Sequence, residues 1–132
     1  MKNILLTVAL SLLLLGCSLT AQKYDNNEYK MLVHFVVSIE EVKAQCSEDG
    51  SFVRSSLPAL RFNARMIEKY SEYTPDNPEV QLVSKILRDD IDQLIAFYDK
   101  NKHNKTYCRI KTDLILRKAE RILEAVGKKK RD

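Results

Sequence analysis

Tryptophan is absent, and glycine, proline and cysteine each occur only three times in 132 residues, with histidine twice. Each shortage excludes something. So few glycines leave no glycine-rich phosphate loop and no Gly-x-Ser-x-Gly nucleophile turn. Neither histidine has a carboxylate or a cysteine at a useful spacing, and no cysteine has a second cysteine or histidine at ligand spacing, so no metal site is expected. Asp89, Asp90 and Asp92 do not converge on one ion, because adjacent helical residues point about 100° apart. With Lys85 and Arg88 nearby they read as a solvated, salt-bridged face, as do Glu40 and Glu41. No catalytic constellation, cofactor or small-molecule substrate is therefore expected, and the chain does not read as an enzyme. Few chain breakers beside many Leu, Ile, Lys and Glu favour helices. No internal repeat or low-complexity segment is visible.

The longest apolar run is at the N-terminus. Lys2 gives a positive start, and Ile4 to Leu15 is apolar apart from Thr7 and Ser11. Small residues follow at Gly16-Cys17-Ser18. This is the three-part build of an export signal, assigned here to residues 1–16. At about 12 residues it is too short for a membrane span of roughly 20. An ordinary signal cleaved after Ala21 is the other reading. Leu14-Leu15-Gly16-Cys17 resembles the lipobox of bacterial lipoproteins. That resemblance implies a diacylglycerol on Cys17, removal of residues 1–16 and a membrane-anchored product. Ser18 in place of Asp implies the outer membrane, facing the periplasm. Residues 17–25 then form a lipidated tether.

The exported part would hold 116 residues, enough for one domain with one core, with 21 basic residues against 18 acidic ones. Much of the excess sits in Lys128-Lys129-Lys130-Arg131, read with Asp132 as a solvated basic tail, 128–132. Export argues against nucleic acid as a partner. With Cys17 assigned to lipid, Cys46 and Cys108 remain. In an oxidising compartment they read as a disulfide, the alternative being two inert buried thiols. Closing a loop of about 62 residues corresponds to roughly 4 kcal/mol in the chain-entropy model.

The spacing of apolar residues predicts four helices between residues 26 and 127. The first runs from about Asn26 to Cys46, on a stripe of Leu32, Phe35, Val36, Ile39, Val42 and Cys46. After a turn at Ser47–Gly50, a segment starting near Ser51 leads into the second, placed from Leu57 to Tyr73. Pro58 is taken as tolerated near its start. Its stripe is Leu57, Leu60, Ala64, Ile67 and Tyr70, widened by Phe62, Met66 and Tyr73. The third is capped by Asn77, opens at Pro78 and runs to about Asp99. The fourth begins near Thr106, where Asn104-Lys105-Thr106 reads as a cap rather than a glycosylation site, and ends before Gly127, taken as a left-handed residue past the helix end. The resulting fold class is all-α, a four-helix bundle stapled by one disulfide, with Cys46 and Cys108 at one pole of an up-down-up-down arrangement.

Tyr70, Tyr73, Phe97 and Tyr98 are candidates to line a groove for an amphipathic helix of a protein partner. His34 lies beside the first stripe, and His103 sits in a polar loop. The order of lipobox, tether, helix ending in Val42-Lys43-Ala44-Gln45-Cys46, and last helix opened by Tyr107-Cys108-Arg109 resembles the α-helical pilotins of type II secretion. That resemblance implies a non-enzymatic adaptor binding a helical segment of a secretin, with Cys46 and Cys108 paired. A periplasmic immunity or inhibitor protein against a delivered toxin, and a structural envelope lipoprotein, are the competing classes.

Overall fold

The computed structural model describes residues 24–75 and 77–129. The signal segment 1–16, Cys17, most of the tether, and Lys130, Arg131 and Asp132 lie outside the described residues. Four helices follow in order: α1 Asn26–Gln45, α2 Gly50–Tyr73, α3 Pro78–Lys100 and α4 Lys105–Gly127.

Local chemistry sets most of these boundaries. Asp25 opens α1 with its carboxylate accepting the amides of Asn27 and Glu28 at 2.8 and 3.1 Å. Asp49 does the same for α2 through Ser51, and Asn104 for α4 through Tyr107. Asn77 precedes α3 but makes no side-chain cap. Its amide group is engaged elsewhere, with Glu28 and Lys129. Pro78 at the first helical position removes one amide that would need a partner.

Two boundaries differ from the sequence reading. The second helix begins at Gly50, seven residues before Leu57, so Pro58 lies inside it. Pro58 is exposed, as is Arg54, the residue whose carbonyl loses its helical donor. Val53, buried on the same line as Leu57 and Leu60, holds the extra turns to the core. At the other end Gly127 is helical, and the capping residue Lys128 is right-handed, with φ −87°. A Cβ on Gly127 would sit 3.2 Å from the Tyr29 ring, a tight contact to which the ring would have to yield by a few tenths of an ångström.

The helices run alternately up and down. Lys43 pairs with Asp113 and Tyr29 lies against Gly127, so α1 and α4 are antiparallel. Ser38 meets Asn63 across α1 and α2, and Ser71 meets Ser84 across α2 and α3. Asp90 pairs with Lys118 across α3 and α4. Each helix packs on its two neighbours, and neither α1 with α3 nor α2 with α4 makes backbone contact among the described residues. The section is a square.

One core fills that square. Leu32, Phe35 and Ile39 of α1, Leu60 and Ile67 of α2, Leu87, Ile91 and Leu94 of α3, and Ile115 of α4 are all at most 1% exposed. Full burial of such a side chain stabilises by about 1.5–3 kcal/mol. Ala64 and Ala119 let facing helices approach. Cys46 and Cys108 are bonded, with Cα atoms 5.6 Å apart, inside the range that a disulfide spans without backbone movement.

Candidate functional site

The four aromatics expected to share a groove do not meet. Tyr70 and Tyr73 sit in the last turn of α2, and Phe97 and Tyr98 in the last turn of α3. Because α2 and α3 are antiparallel, the two pairs lie at opposite poles, separated by a helix length of roughly 30 Å. Three of the four have structural contacts instead. The Tyr70 hydroxyl donates to Asp25 at 2.7 Å. Burial pushes the Asp25 carboxyl up, but this bond and the backbone donors of α1 outweigh it and hold Asp25 below its usual range. Tyr98 is buried, and Phe97 stacks on Tyr107 at 3.8 Å between ring centres. Tyr73 alone points into solvent, 85% exposed.

The disulfide pole is built around His103. Its Nε2 lies 3.1 Å from the Cys46 carbonyl and its Nδ1 2.7 Å from the Tyr98 hydroxyl. A carbonyl only accepts, so Nε2 carries a proton, and in the neutral ring Nδ1 accepts from Tyr98. Gly50 fits beneath the ring, where an added Cβ would fall 2.5 Å from His103 Cβ. Arg54 lies over the Tyr98 ring and donates to the carbonyls of Tyr98 and Asn101. This histidine, read from sequence as a polar loop residue, ties the α3–α4 connector to the end of α1.

The opposite pole holds a buried polar group. Glu28 is 1% exposed and Asn77 2%. Asn77 donates to Glu28 and accepts from Lys129 Nζ at 3.0 Å; that ammonium lies 3.5 Å from the Glu28 carboxylate. Burial raises the Glu28 carboxyl above its usual value, and the Lys129 charge with the Asn77 bond offsets this only in part. Lys129 is thus not a solvated tail residue: its side chain is 11% exposed and closes the end of the bundle.

The carboxylates of α3 are mostly drawn into ion pairs. Asp90 meets Lys118, Asp92 meets Arg61 and Arg88, and Arg88 also meets Glu68 and Asp89. Among the described residues no group of three or more His, Cys, Asp or Glu is arranged to hold a metal ion. No helix among them is long and apolar enough to cross a membrane.

One face lacks a partner. Phe52, Ala59, Met66 and Tyr73 recur every seven residues along α2, with Phe62 three beyond Ala59. All five are exposed: Phe52 by 55%, Phe62 by 62% and Met66 by 42%. The sequence reading assigned Phe62, Met66 and Tyr73 to a widened core face. They stand instead on a second stripe, turned outward, beside the core stripe of Leu57, Leu60, Ala64 and Ile67. Across a groove from Phe62 and Met66 stand Lys30, Met31 and His34 of α1. Lys30 and Arg65 border the stripe, both exposed and neither in an ion pair among the described residues. The signal for this face was present in sequence as the seven-residue spacing, but it becomes continuous only when Phe52 is placed in the helix.

No family model, curated protein or solved structure matches this chain.

Proposed function

We propose that this protein is an exported, lipid-anchored, non-enzymatic adaptor that binds an amphipathic helix of another protein along α2. The observation that carries the reading is the exposed stripe Phe52, Ala59, Phe62, Met66 and Tyr73. A seven-residue apolar repeat is the spacing with which two helices mesh side chains along a seam. Globular helices bury their apolar residues, and α2 already has a separate buried line, so the second line is surplus to folding. Met31 and Met66 suit such a groove, since unbranched thioethers adapt to a partner's side chains.

The rim argues for a different protein as occupant rather than a second copy. Four basic residues against two acidic ones line α2, so two copies would meet like charge. Lys30, His34 and Arg65 favour a partner helix with acidic flanks. The inhibitor reading draws less support, because most carboxylates of the acidic helix α3 are engaged within the bundle. The secretin-pilot role is one form of the adaptor reading. The envelope location rests on the lipobox at Cys17.

Two experiments test this. A photo-crosslinking residue in place of Phe62, in intact cells, captures one protein through a heptad-spaced helical segment, and the same probe at Ile86 of α3 does not. Capture from both positions alike, or from neither, overturns the adaptor reading. Separately, Cys17→Ala abolishes lipid labelling and membrane retention; wild-type protein that takes up no lipid label removes the anchor.

A further inference from the structure

The outer side of α4 is basic. Residues 105–129 carry eight basic side chains and three acidic ones, a net +5 in a chain whose total is +4; of the eight, Lys118 and Lys129 are drawn to Asp90 and Glu28 and do not belong to that side. The remainder of the molecule is therefore slightly acidic. Ile110, Leu114, Arg117, Arg121 and Lys128 follow at steps of four, three, four and seven, which is one line along a helix. That line is turned away from the core stripe of Cys108, Thr112, Ile115, Ala119 and Ile122. Ile110 is 56% exposed and Leu114 43%. With Lys43, Arg109 and Arg117 they border a shallow cleft between α1 and α4.

Local carboxylates do not neutralise this face. Asp113 is shared between Lys43 and Arg117, and Glu124 meets Lys128. Arg109 and Arg121 have no ion pair among the described residues. Two exposed aliphatic side chains, Ile110 and Leu114, thus continue into the cations Arg117, Arg121 and Lys128 on one line, on a helix whose inner side is already committed to the core.

We propose that the outer face of α4 lies on an anionic lipid surface, with its cations among the head groups and Ile110 and Leu114 in the acyl boundary. Such a surface satisfies both halves of the pattern, and the apolar part, Ile110 and Leu114 alone, lacks the seven-residue repeat with which a partner helix would mesh. Nucleic acid or an acidic polymer answers the charge but offers no apolar layer for Ile110 and Leu114. A neutral apolar surface would leave Arg109 and Arg121 without counter-charge. Basic amphipathic helices bind at membrane interfaces by this combination of shallow apolar burial and attraction to anionic lipid. The contact is separate from the acyl anchor expected at Cys17, and it uses the bundle as folded.

The absence of tryptophan provides a clean probe. Leu114→Trp and, as control, Phe62→Trp are made in the full chain carrying Cys17→Ser, so that both share whatever affinity the N-terminal segment has. Vesicles of phosphatidylcholine with phosphatidylglycerol are compared with phosphatidylcholine alone. The Leu114→Trp emission shifts to the blue with the anionic vesicles only, and high salt reverses the shift. The Phe62→Trp emission stays unchanged. Adding Arg117→Gln and Arg121→Gln weakens the response by about 25-fold, at about fivefold for each cation near an anionic surface. These two side chains face solvent, and circular dichroism of each variant confirms the fold. Equal shifts with neutral and anionic vesicles, an equal shift at position 62, or no shift at all would overturn the proposal. An equal shift with polyglutamate in place of lipid would overturn it in favour of an acidic polymer.

Discussion

His103 Nε2 donates to the carbonyl oxygen of Cys46 at 3.1 Å, joining the α3–α4 connector to the half-cystine that ends α1. The same ring holds the Tyr98 hydroxyl, so one side chain bridges three segments of the disulfide pole. His103→Ala removes two partly buried hydrogen bonds and should cost about 1–3 kcal/mol. Gly50→Ala should cost a comparable amount, because the added methyl meets the ring. Urea denaturation of both variants reads this. Midpoints equal to wild type would show that the pole is held by the disulfide alone.

The Cys46–Cys108 bond closes 62 residues of sequence. Replacing both cysteines by alanine should lower stability by about 4 kcal/mol in the chain-entropy model, with helical content retained, because all four helices keep their core lines. Reductant should lower the wild-type midpoint by a similar amount and leave the double variant unchanged. A wild-type protein indifferent to reductant would contradict a stabilising role for the bond.

Glu28 gives a pH signature of defined sign. Its folded carboxyl titrates above its ordinary 4.5 because it is buried. A raised folded value means that its contribution to stability is complete below about 4.5 and is lost as pH climbs through the folded value. Glu28→Gln should therefore flatten the stability profile above about pH 4.5. Lys129→Ala leaves the buried carboxylate without its cation, so it should steepen that decline and cost about 3 kcal/mol near neutral pH. Parallel profiles for wild type and Glu28→Gln would show that this group does not govern the dependence.

Leu60 and Phe62 are two residues apart and have opposite tasks. Leu60 is 1% exposed and Phe62 62%. Leu60→Ala should destabilise by about 2–5 kcal/mol through the cavity it leaves. Phe62→Ser should change stability by about 0.5 kcal/mol or less, while abolishing capture of the partner helix. Thermal melts paired with the crosslinking assay separate the two. A large loss of stability from Phe62→Ser would return that residue to the core.

The sequence pattern carried the class of fold and most of its boundaries, for reasons visible in particular residues. Asn104 was legible as a cap because its side chain bonds a free amide of the first turn, as it does here. Pro78 marked the start of α3. Where the reading failed, a local preference lost to packing. Pro58 was read as near a helix start, yet α2 runs through it, since Val53 and Gly50 are both buried one and two turns earlier. Shortening α2 in this way removed Phe52 from its stripe, and the outward repeat then merged with the core line. The roles of His103 and Lys129 had no local signal, because both depend on segments more than fifty residues away. Tyr70, Tyr73, Phe97 and Tyr98 were grouped by residue type, and only helix direction separates them.

α2 and α4 occupy diagonal corners and share no backbone contact, so the apolar stripe of one and the basic line of the other lie on different sides of the bundle, with α1 between them. Were both proposals to hold, one face of the bundle would bear a bilayer and another a guest helix, without either occupying the other's place.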